Sequence, residues 1–343
     1  MPAEGTAMER TASITAKHSL TWIESSVTLA PDRVRLRARL TGISAGTEGM
    51  WFNGTAPALT SGRRGYPYVP GYEFVGIVEA AGPMISADPV KFPRLSKLAI
   101  GDRVFAFKPH SSIADISEED MWVSLPGHVE DLDALSLALA CTCLHAIHRV
   151  GHQYGDDCAV LGLGMVGMIM IQILAASGAS QIVAATTSLA KAELARHFGA
   201  TDVVDTRQLT ANGAKIKLSD AVYECSGTSA GIAASTRLAA NQGRIGAVGF
   251  YVEDMPISGE DIFARELTIF GVRASGAADK RGEFVRWPRT ENLKLAAKLV
   301  GEGRLRVTSL LTHKLKPAEL EKAYGIIDSK SEPYSMMALD WQV

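Results

Sequence analysis

Residues 157–205 constrain this 343-residue chain more than any other stretch. A short apolar run, Cys158-Ala159-Val160-Leu161, turns through Gly162-Leu163-Gly164-Met165-Val166-Gly167 and continues into an apolar segment over 168–176. A strand, a glycine turn and a helix in that order suit a pyrophosphate. Gly162 makes the tight turn, Gly164 lets the backbone approach the ligand, and Gly167 lets the helix pack on the strand. The free N–H groups of the first helical turn, at Met165 and Val166, then face the phosphates at the positive helix end. Gly178 closes that helix, 181–185 reads as a second strand, and 189–198 reads as a second helix closed by Gly199. The spacing predicts a nucleotide-binding βαβ unit.

The end of the second strand bears on which nucleotide. About 20 residues past such a turn, an NAD site places a carboxylate on the ribose 2′-OH. Here the strand ends Ala184-Ala185-Thr186-Thr187-Ser188, with no acid, and Lys191 follows. Hydroxyls and a lysine accept a 2′-phosphate that a carboxylate repels, so NADP(H) is expected over NAD. Thr186, Thr187 and Ser188 suit a second job equally well, capping the next helix. The missing acid therefore carries more of the argument than the hydroxyls present.

Around this unit, 221–226 and 244–248 read as further strands flanking a helix at 230–240, and 267–272 is a last apolar run. Ser226 and Gly249 fall at the ends of those strands and are assigned to the cofactor site with the turn residues. Before the turn, 134–149 reads as a helix carrying Cys141, His145 and His148, the last facing solvent.

The first third of the chain has a different texture. Residues 1–18 are polar and read as partly loose; then Val34, Leu36, Ala38 and Leu40 alternate with Arg33, Arg35, Arg37 and Arg39, a half-exposed strand with its arginines in solvent. The run from Thr41 to Glu48 reads as a polar turn, 74–80 and 104–107 as strands, and 83–98 as a surface excursion. Short strands with Gly/Pro punctuation predict a compact β-rich domain. The helices and strands expected at 293–300, 309–312, 317–326 and 336–339 cannot all extend one parallel sheet, so they are expected to return and complete that domain. The boundaries expected are 1–127 and 274–343 for the β-rich domain, and 128–273 for the dinucleotide-binding domain between them.

Composition narrows the partners. With 47% hydrophobic and 21% charged residues the chain is ordinary for a globular protein, and a formal charge of −2 leaves no basic stripe for nucleic acid or an anionic membrane. The longest apolar run, 165–176, is too short to span a bilayer. Residues 1–18 lack the apolar core of a signal peptide, and four cysteines form neither a disulfide framework nor a C-x-x-C metal site. A small-molecule substrate and a cytoplasmic location are expected.

Several motifs together resemble the medium-chain dehydrogenase/reductase superfamily: Gly42-Ile43 with Thr47-Glu48, Pro70-Gly71-Tyr72-Glu73, Gly101-Asp102-Arg103-Val104, the Gly162 turn and Gly199-Ala200-Thr201. The resemblance implies an α/β protein: a Rossmann doubly wound parallel sheet with a GroES-like β-rich catalytic domain formed by both chain ends, and an active site in the cleft between them. It also implies a homodimer, through 267–272 as an edge strand. The metal positions of that family depart from pattern. Ser44, or Ala45, stands where a cysteine ligand would, Tyr72 replaces the histidine, and only Cys141 remains where a third ligand would lie. One thiolate with Glu73 falls short of the three protein ligands of a catalytic zinc, so no metal is expected. The runs 42–48 and 65–73 are most similar to the bacteriochlorophyllide a dehydrogenase group, which implies oxidation of a secondary alcohol. Pro70-Gly71-x-Glu73-Phe74 and the run from Gly101 to Ala106 are also similar to the zinc-free quinone and enone reductases.

Without a metal, a side chain must stabilise the oxyanion that develops during hydride transfer. Thr47 matches the hydroxyl that relays protons in the alcohol dehydrogenases. The Tyr72 phenol can donate to a carbonyl oxygen, oriented by Glu73 or Glu48, and His145 can shuttle a proton near neutral pH. Each has a plain structural alternative: Tyr72 as a core phenol, His145 as a packed helix residue, Cys141 as a small buried hydrophobe. Trp51, Phe52, Tyr66 and Tyr68 suit either a substrate pocket or the core, and Arg63 and Arg64 suit a solvated loop. The function expected is zinc-independent, NADP(H)-dependent interconversion of a secondary alcohol and a ketone. The alternatives are NADPH-dependent reduction of a quinone or enone C=C bond, and a non-catalytic NADPH-binding protein.

Overall fold

The computed structural model describes residues 6–209, 217–276, 281–282 and 286–343. The chain divides into two compact units, Met1–Ala138 with Arg306–Val343, and Leu139–Leu305.

The first unit opens with an antiparallel hairpin, β1 (Thr6–Ala16) and β2 (Ser19–Thr28), where the sequence reads as loose; residues 1–5 of that stretch lie outside those described. Ala12 and Ile14 are fully buried, so the hairpin is fixed by an apolar stripe too short to show against its polar neighbours. It is followed by β3 (Val34–Ile43), α1 (Ala45–Phe52), α2 (Pro57–Thr60), β4 (Glu73–Ala81) and α3 (Pro83–Ala87). Strands β5 (Arg103–Ala106), β6 (Ile113–Ile116) and β7 (Trp122–Ser124) and the short α4 (Asp131–Ala134) complete the first part. Two expectations change here. The run from Thr41 to Glu48 is the end of β3 and the first turn of α1, not a loop. The stretch 83–98 is not mere surface either, since Ile85, Phe92 and Leu95 are buried in the core.

The arginines of β3 do not share one solvated face. Arg35 is 3% exposed and grips Asp115 with two hydrogen bonds, Nε to Oδ1 at 2.7 Å and Nη2 to Oδ2 at 2.9 Å. Arg39 donates to Asp131 at 2.5 Å. β3 carries β4 and β6 as neighbours over its first half, which covers residues that a simple alternation would leave exposed.

The second unit begins within α5 (Leu137–Val150). It continues as β8 (Asp157–Leu161), α6 (Met165–Ala176), β9 (Gln181–Thr186), α7 (Ala192–His197), β10 (Asp202–Asp205), β11 (Ser219–Glu224), α8 (Ser229–Leu238), β12 (Ala239–Ala247), α9 (Gly259–Arg265), β13 (Thr268–Gly271) and α10 (Arg289–Gly301). Its six strands lie in the order β10-β9-β8-β11-β12-β13, every pair parallel, which is the doubly wound arrangement with its switch point between β8 and β11. α6 is apolar all round because both of its faces are covered: Met168 to Leu174 are buried without a break. Among the described residues no helix is long and apolar enough to cross a membrane.

The chain then returns to the first unit as β14 (Leu311–Leu315), α11 (Leu320–Ser329) and β15 (Met336–Asp340), giving a seven-stranded sheet in the order β14-β15-β3-β4-β5-β7 with β6 on β3. The expected boundaries at 127/128 and 273/274 fall instead at 138/139 and 305/306. The second shift is the larger because α10 stays with the middle unit: Leu293, Ala296, Leu299 and Val300 are buried, and the Arg304 guanidinium donates to the Ala176 carbonyl at 2.5 Å.

Candidate functional site

In the second unit the glycine turn has the geometry its spacing predicts. Gly162 has φ +87°, and a Cβ there would meet the Ser226 backbone nitrogen at 2.9 Å. A Cβ on Gly167 would fall on the Gly162 carbonyl oxygen, so helix and turn touch through glycine alone. Gly164 is exposed, has open space beside its Cα, and stands as N-cap of α6 without a side-chain cap. The half-buried Met165 and Val166 follow, with first-turn N–H groups that the helix itself cannot satisfy. Close approach, free donors and the positive helix end thus coincide at one exposed spot.

The end of β9 splits the expected hydroxyl set. Thr186 is buried, and its Oγ1 accepts from Ser188 N–H at 3.1 Å and donates to the Ser188 carbonyl at 3.2 Å, which makes it a turn former. Thr187 and Ser188 are exposed, and Ser188 makes no side-chain cap bond to the turn that follows. Lys191 reaches back to the glycine turn, its Nζ donating to the Leu163 carbonyl at 3.2 Å, and burial lowers its pKa. Asp205, at the end of the neighbouring β10, is held by Arg207, Nη2 to Oδ2 at 2.6 Å.

Ser226 and Gly249 are built into a cluster that the sequence did not reveal. Glu224, the last residue of β11, is fully buried, and its carboxylate accepts from the backbone N–H of Ser226 at 2.8 Å and of Gly227 at 3.0 Å. It also accepts short hydrogen bonds from the Ser226 and Tyr251 hydroxyls. Ser226 is therefore a loop former with its hydroxyl engaged. A Cβ on Gly249 would fall on the Gly227 backbone, so the loops after β11 and β12 meet main chain to main chain.

His145 is half-buried on α5, its pKa lowered by burial and then by Arg149, so it is held neutral. His148, expected in solvent, is stacked on Trp287 with ring centroids 4.4 Å apart and planes 14° apart. Burial, then His145 and Arg286, push its pKa down to about 4. Cys141 is fully buried with its thiol pKa raised by that burial, the small hydrophobe of the plainer expectation.

In the first unit Tyr72 and Ser44 form a hydroxyl pair. The Tyr72 phenol donates to Ser44 Oγ at 2.5 Å. Burial, then Glu73, raise the phenol's pKa, and the Ser44 and Thr47 hydroxyls pull it partly back, so the oxygens of Tyr72, Ser44 and Thr47 belong to one group. Glu73, on the neighbouring residue, is 4% exposed, its Oε1 has no partner, and burial with the nearby Glu48 raises its pKa well above the ordinary range. A Cβ on Gly42, its cross-strand partner, would fall on Glu73 Oε2, so glycine is required there.

Glu48 does not orient the phenol. Its Oε1 accepts from Ser44 N–H at 3.0 Å, and its Oε2 bonds His110 Nε2 at 2.9 Å and the Tyr324 hydroxyl at 2.7 Å, all fully buried apart from Ser44. His110 Nδ1 in turn meets Thr41 Oγ1 at 2.8 Å. This network fixes the start of α1, and hence Ser44, beneath the phenol. His110 and Tyr324 gave no local signal in the sequence, since they lie 62 and 276 residues from Glu48. The aromatics Trp51 and Phe52 are core, with Trp51 stacked on Tyr68 at 4.2 Å. Burying a side chain of this size is worth about 2–3 kcal/mol.

A zinc ion does not fit this donor set. The two hydroxyls at the positions of thiolate and imidazole are bonded to each other, burial raises the pKa of the carboxyl beside them, and among the described residues no three His, Cys, Asp or Glu side chains gather as a metal site.

Comparison with known proteins shows what the chain is similar to. A family model described as zinc-binding dehydrogenase matches residues 165–287, a segment inside the second unit that contains neither Ser44, Tyr72 nor Glu73. The 2-desacetyl-2-hydroxyethyl bacteriochlorophyllide A dehydrogenase of Cereibacter sphaeroides is 27% identical over 91% of this chain and 92% of its own length. The L-threonine 3-dehydrogenase of Bacillus licheniformis is 26% identical over 61% of this chain and 58% of its own. Galactitol-1-phosphate dehydrogenase from Escherichia coli superposes with TM-score 0.78 at 18% identity, covering 96% of this chain and 99% of that one. A Sinorhizobium meliloti protein described as a zinc-binding dehydrogenase and solved with NADP superposes with TM-score 0.77 at 20% identity, over 97% and 99% of the two chains. In sequence the chain is similar to these dehydrogenases, and its fold, a doubly wound parallel sheet with a β-rich unit made from both chain ends, is that of the solved ones.

Proposed function

We propose that this protein is a zinc-independent, NADP(H)-preferring oxidoreductase that interconverts a secondary alcohol and a ketone, with Tyr72 as the residue that gives and takes the proton. The observation that carries the reading is the Tyr72–Ser44 pair at 2.5 Å, a polarised phenol standing where relatives of this architecture have metal ligands. The bound dinucleotide supplies or accepts the hydride. The chain's own residues do the rest. Without substrate the phenol's single proton is donated to Ser44; for reduction it turns from Ser44 to the carbonyl oxygen, and the Ser44 and Thr47 hydroxyls then donate to the phenolate left behind until solvent returns the proton. The raised phenol pKa keeps Tyr72 protonated at neutral pH, the state that donates to a carbonyl oxygen. Reduction therefore runs without a pH-dependent step near neutrality, and alcohol oxidation accelerates as pH rises.

The cofactor preference rests on the exposed hydroxyls of Thr187 and Ser188, on Lys191 at the glycine turn, and on the absence of a free acid at the end of β9. His145, half-buried and held neutral, serves this reading as packing in the second unit. A homodimer through the free edge of β13 and a cytoplasmic setting belong to the same reading; light scattering on the purified chain tests the dimer. The substrate class follows from the similarity to the bacteriochlorophyllide relative, whose name specifies a hydroxyethyl group.

The test is deuterium transfer from 4-deuterated NADPH, each face labelled separately, into a panel of ketones and enones. Label on a carbinol carbon is expected. Label on a carbon β to a carbonyl would replace this reading with alkene reduction, and tight NADPH binding without transfer to any ketone would replace it with a binding protein.

A further inference from the structure

The loops that follow β11 and β12 stand at the C-terminal ends of strands on the far side of the switch point from β9. In a sheet of this order each half serves one mononucleotide of a dinucleotide. The half with β8, β9 and β10 carries Lys191 and the end of β9, so the half with β11, β12 and β13 is left for the nicotinamide nucleotide. That half has no glycine-rich turn of its own.

What it has is Glu224. Four donors converge on its buried carboxylate: two backbone N–H groups and one hydroxyl from the loop after β11, and the Tyr251 hydroxyl from the loop after β12. Its backbone carbonyl also accepts from Val248 and Gly249 N–H, both at 2.9 Å. One residue therefore binds both loops. A Cβ on Gly227, at φ +67°, would meet Phe250 N and O at 2.8 Å. A Cβ on Gly231 would fall on Glu224 Oε1, so small residues have been kept clear around the carboxylate. Burial, then the bond to Glu224, raise the Tyr251 pKa, which keeps this hydroxyl a donor.

We propose that Glu224 and Tyr251 are positioning residues that lock the paired loops 225–228 and 248–251 into the seat of the nicotinamide nucleotide, while the seat of the adenosine half is built without them. The proposal rests on the dinucleotide reading above. Anchoring two loops to one buried anion removes their freedom before the ligand arrives, so less conformational entropy is lost on binding. Hydrogen bonds to a charged acceptor are the stronger kind, which makes this anchor stiffer than backbone pairing alone.

Tyr251→Phe removes one donor and keeps the ring. In the full-length protein, titration of fluorescence with NADPH and with adenosine 2′,5′-bisphosphate, its adenosine half alone and so free of nicotinamide, separates the two halves. The variant is expected to bind NADPH about tenfold more weakly, the size of one hydrogen bond to a charged group, and to bind the nicotinamide-free compound within about twofold of the wild type. Glu224→Gln is expected to show the same split more strongly, and thermal melting reports whether it is folded. Equal weakening of both ligands by Tyr251→Phe would show a general loosening of the unit, and no change in either would show that the anchor is idle; both results overturn the proposal. If the wild type binds neither these ligands nor NADH and adenosine 5′-phosphate, the dinucleotide reading itself falls. If only the second pair binds, the same comparison is made with it.

Discussion

Two buried glutamates, one in each unit, sit at strand ends and have opposite surroundings. Glu224 ends β11 with four donors around its carboxylate, whereas Glu73 begins β4 with one oxygen unpartnered and a second acid nearby. A carboxylate with donors on every side is a stable buried anion and can organise backbone; a carboxyl without them stays protonated and adds no charge. The difference teaches how the two units divide the work. The second unit gathers main-chain N–H groups and hydroxyls around one carboxyl. The first sets a pair of hydroxyls beside a carboxyl whose pKa is raised by burial.

The largest expected effect breaks the first unit's half of this comparison. Tyr72→Phe removes the donated proton and keeps the ring, so turnover of a ketone should fall by about 10²- to 10⁴-fold while NADPH affinity stays as it was. A variant with turnover intact would return Tyr72 to the role of core phenol.

Lys191→Met tests the second unit by itself. The methionine keeps an apolar stem of similar length without the ammonium at the Leu163 carbonyl, so NADPH should bind about tenfold more weakly, and NADH should be little affected. Parallel dissociation constants for the two cofactors check this. An equal loss for both would assign Lys191 to bracing the glycine turn.

The smallest effect sharpens the contrast between the acids. Glu73 has its folded pKa raised above the unfolded value, so the folded state binds the extra proton. Its stabilising contribution is whole below the unfolded carboxyl pKa and is lost as pH rises towards the folded one. Glu73→Gln, which cannot ionise, should therefore melt about 2 °C higher than the wild type at pH 8, with the gap closing towards pH 4. Thermal melts across that range check it. A gap that widens on acidification would mean that Glu73 is an anion in the fold.

Much of the second unit was legible in the order of residues. Strand, glycine turn and helix are contiguous, and the constraints on Gly162 and Gly167 are steric contacts inside one short segment. Contiguity also explains why Thr186 could be read two ways, since a hydroxyl at a strand end serves a turn or a ligand with the same local sequence; the structure gives it to the turn. The side chains of the first unit were legible only as substitutions. Tyr72 and Ser44 could be picked out because they stand where other residue types were expected, but their bond spans 28 residues and nothing local announces it.

The chain by itself determined the doubly wound sheet, the glycine turn with its helix end, and the return of the C-terminal segment to the β-rich unit, because periodicity and turn chemistry act over a few residues at a time. Tertiary structure alone decided which buried acids meet donors. Whether Glu48, Glu73 and Glu224 meet donors depends on residues brought together from as far as 276 positions away, and the state of a buried carboxyl is set by those neighbours.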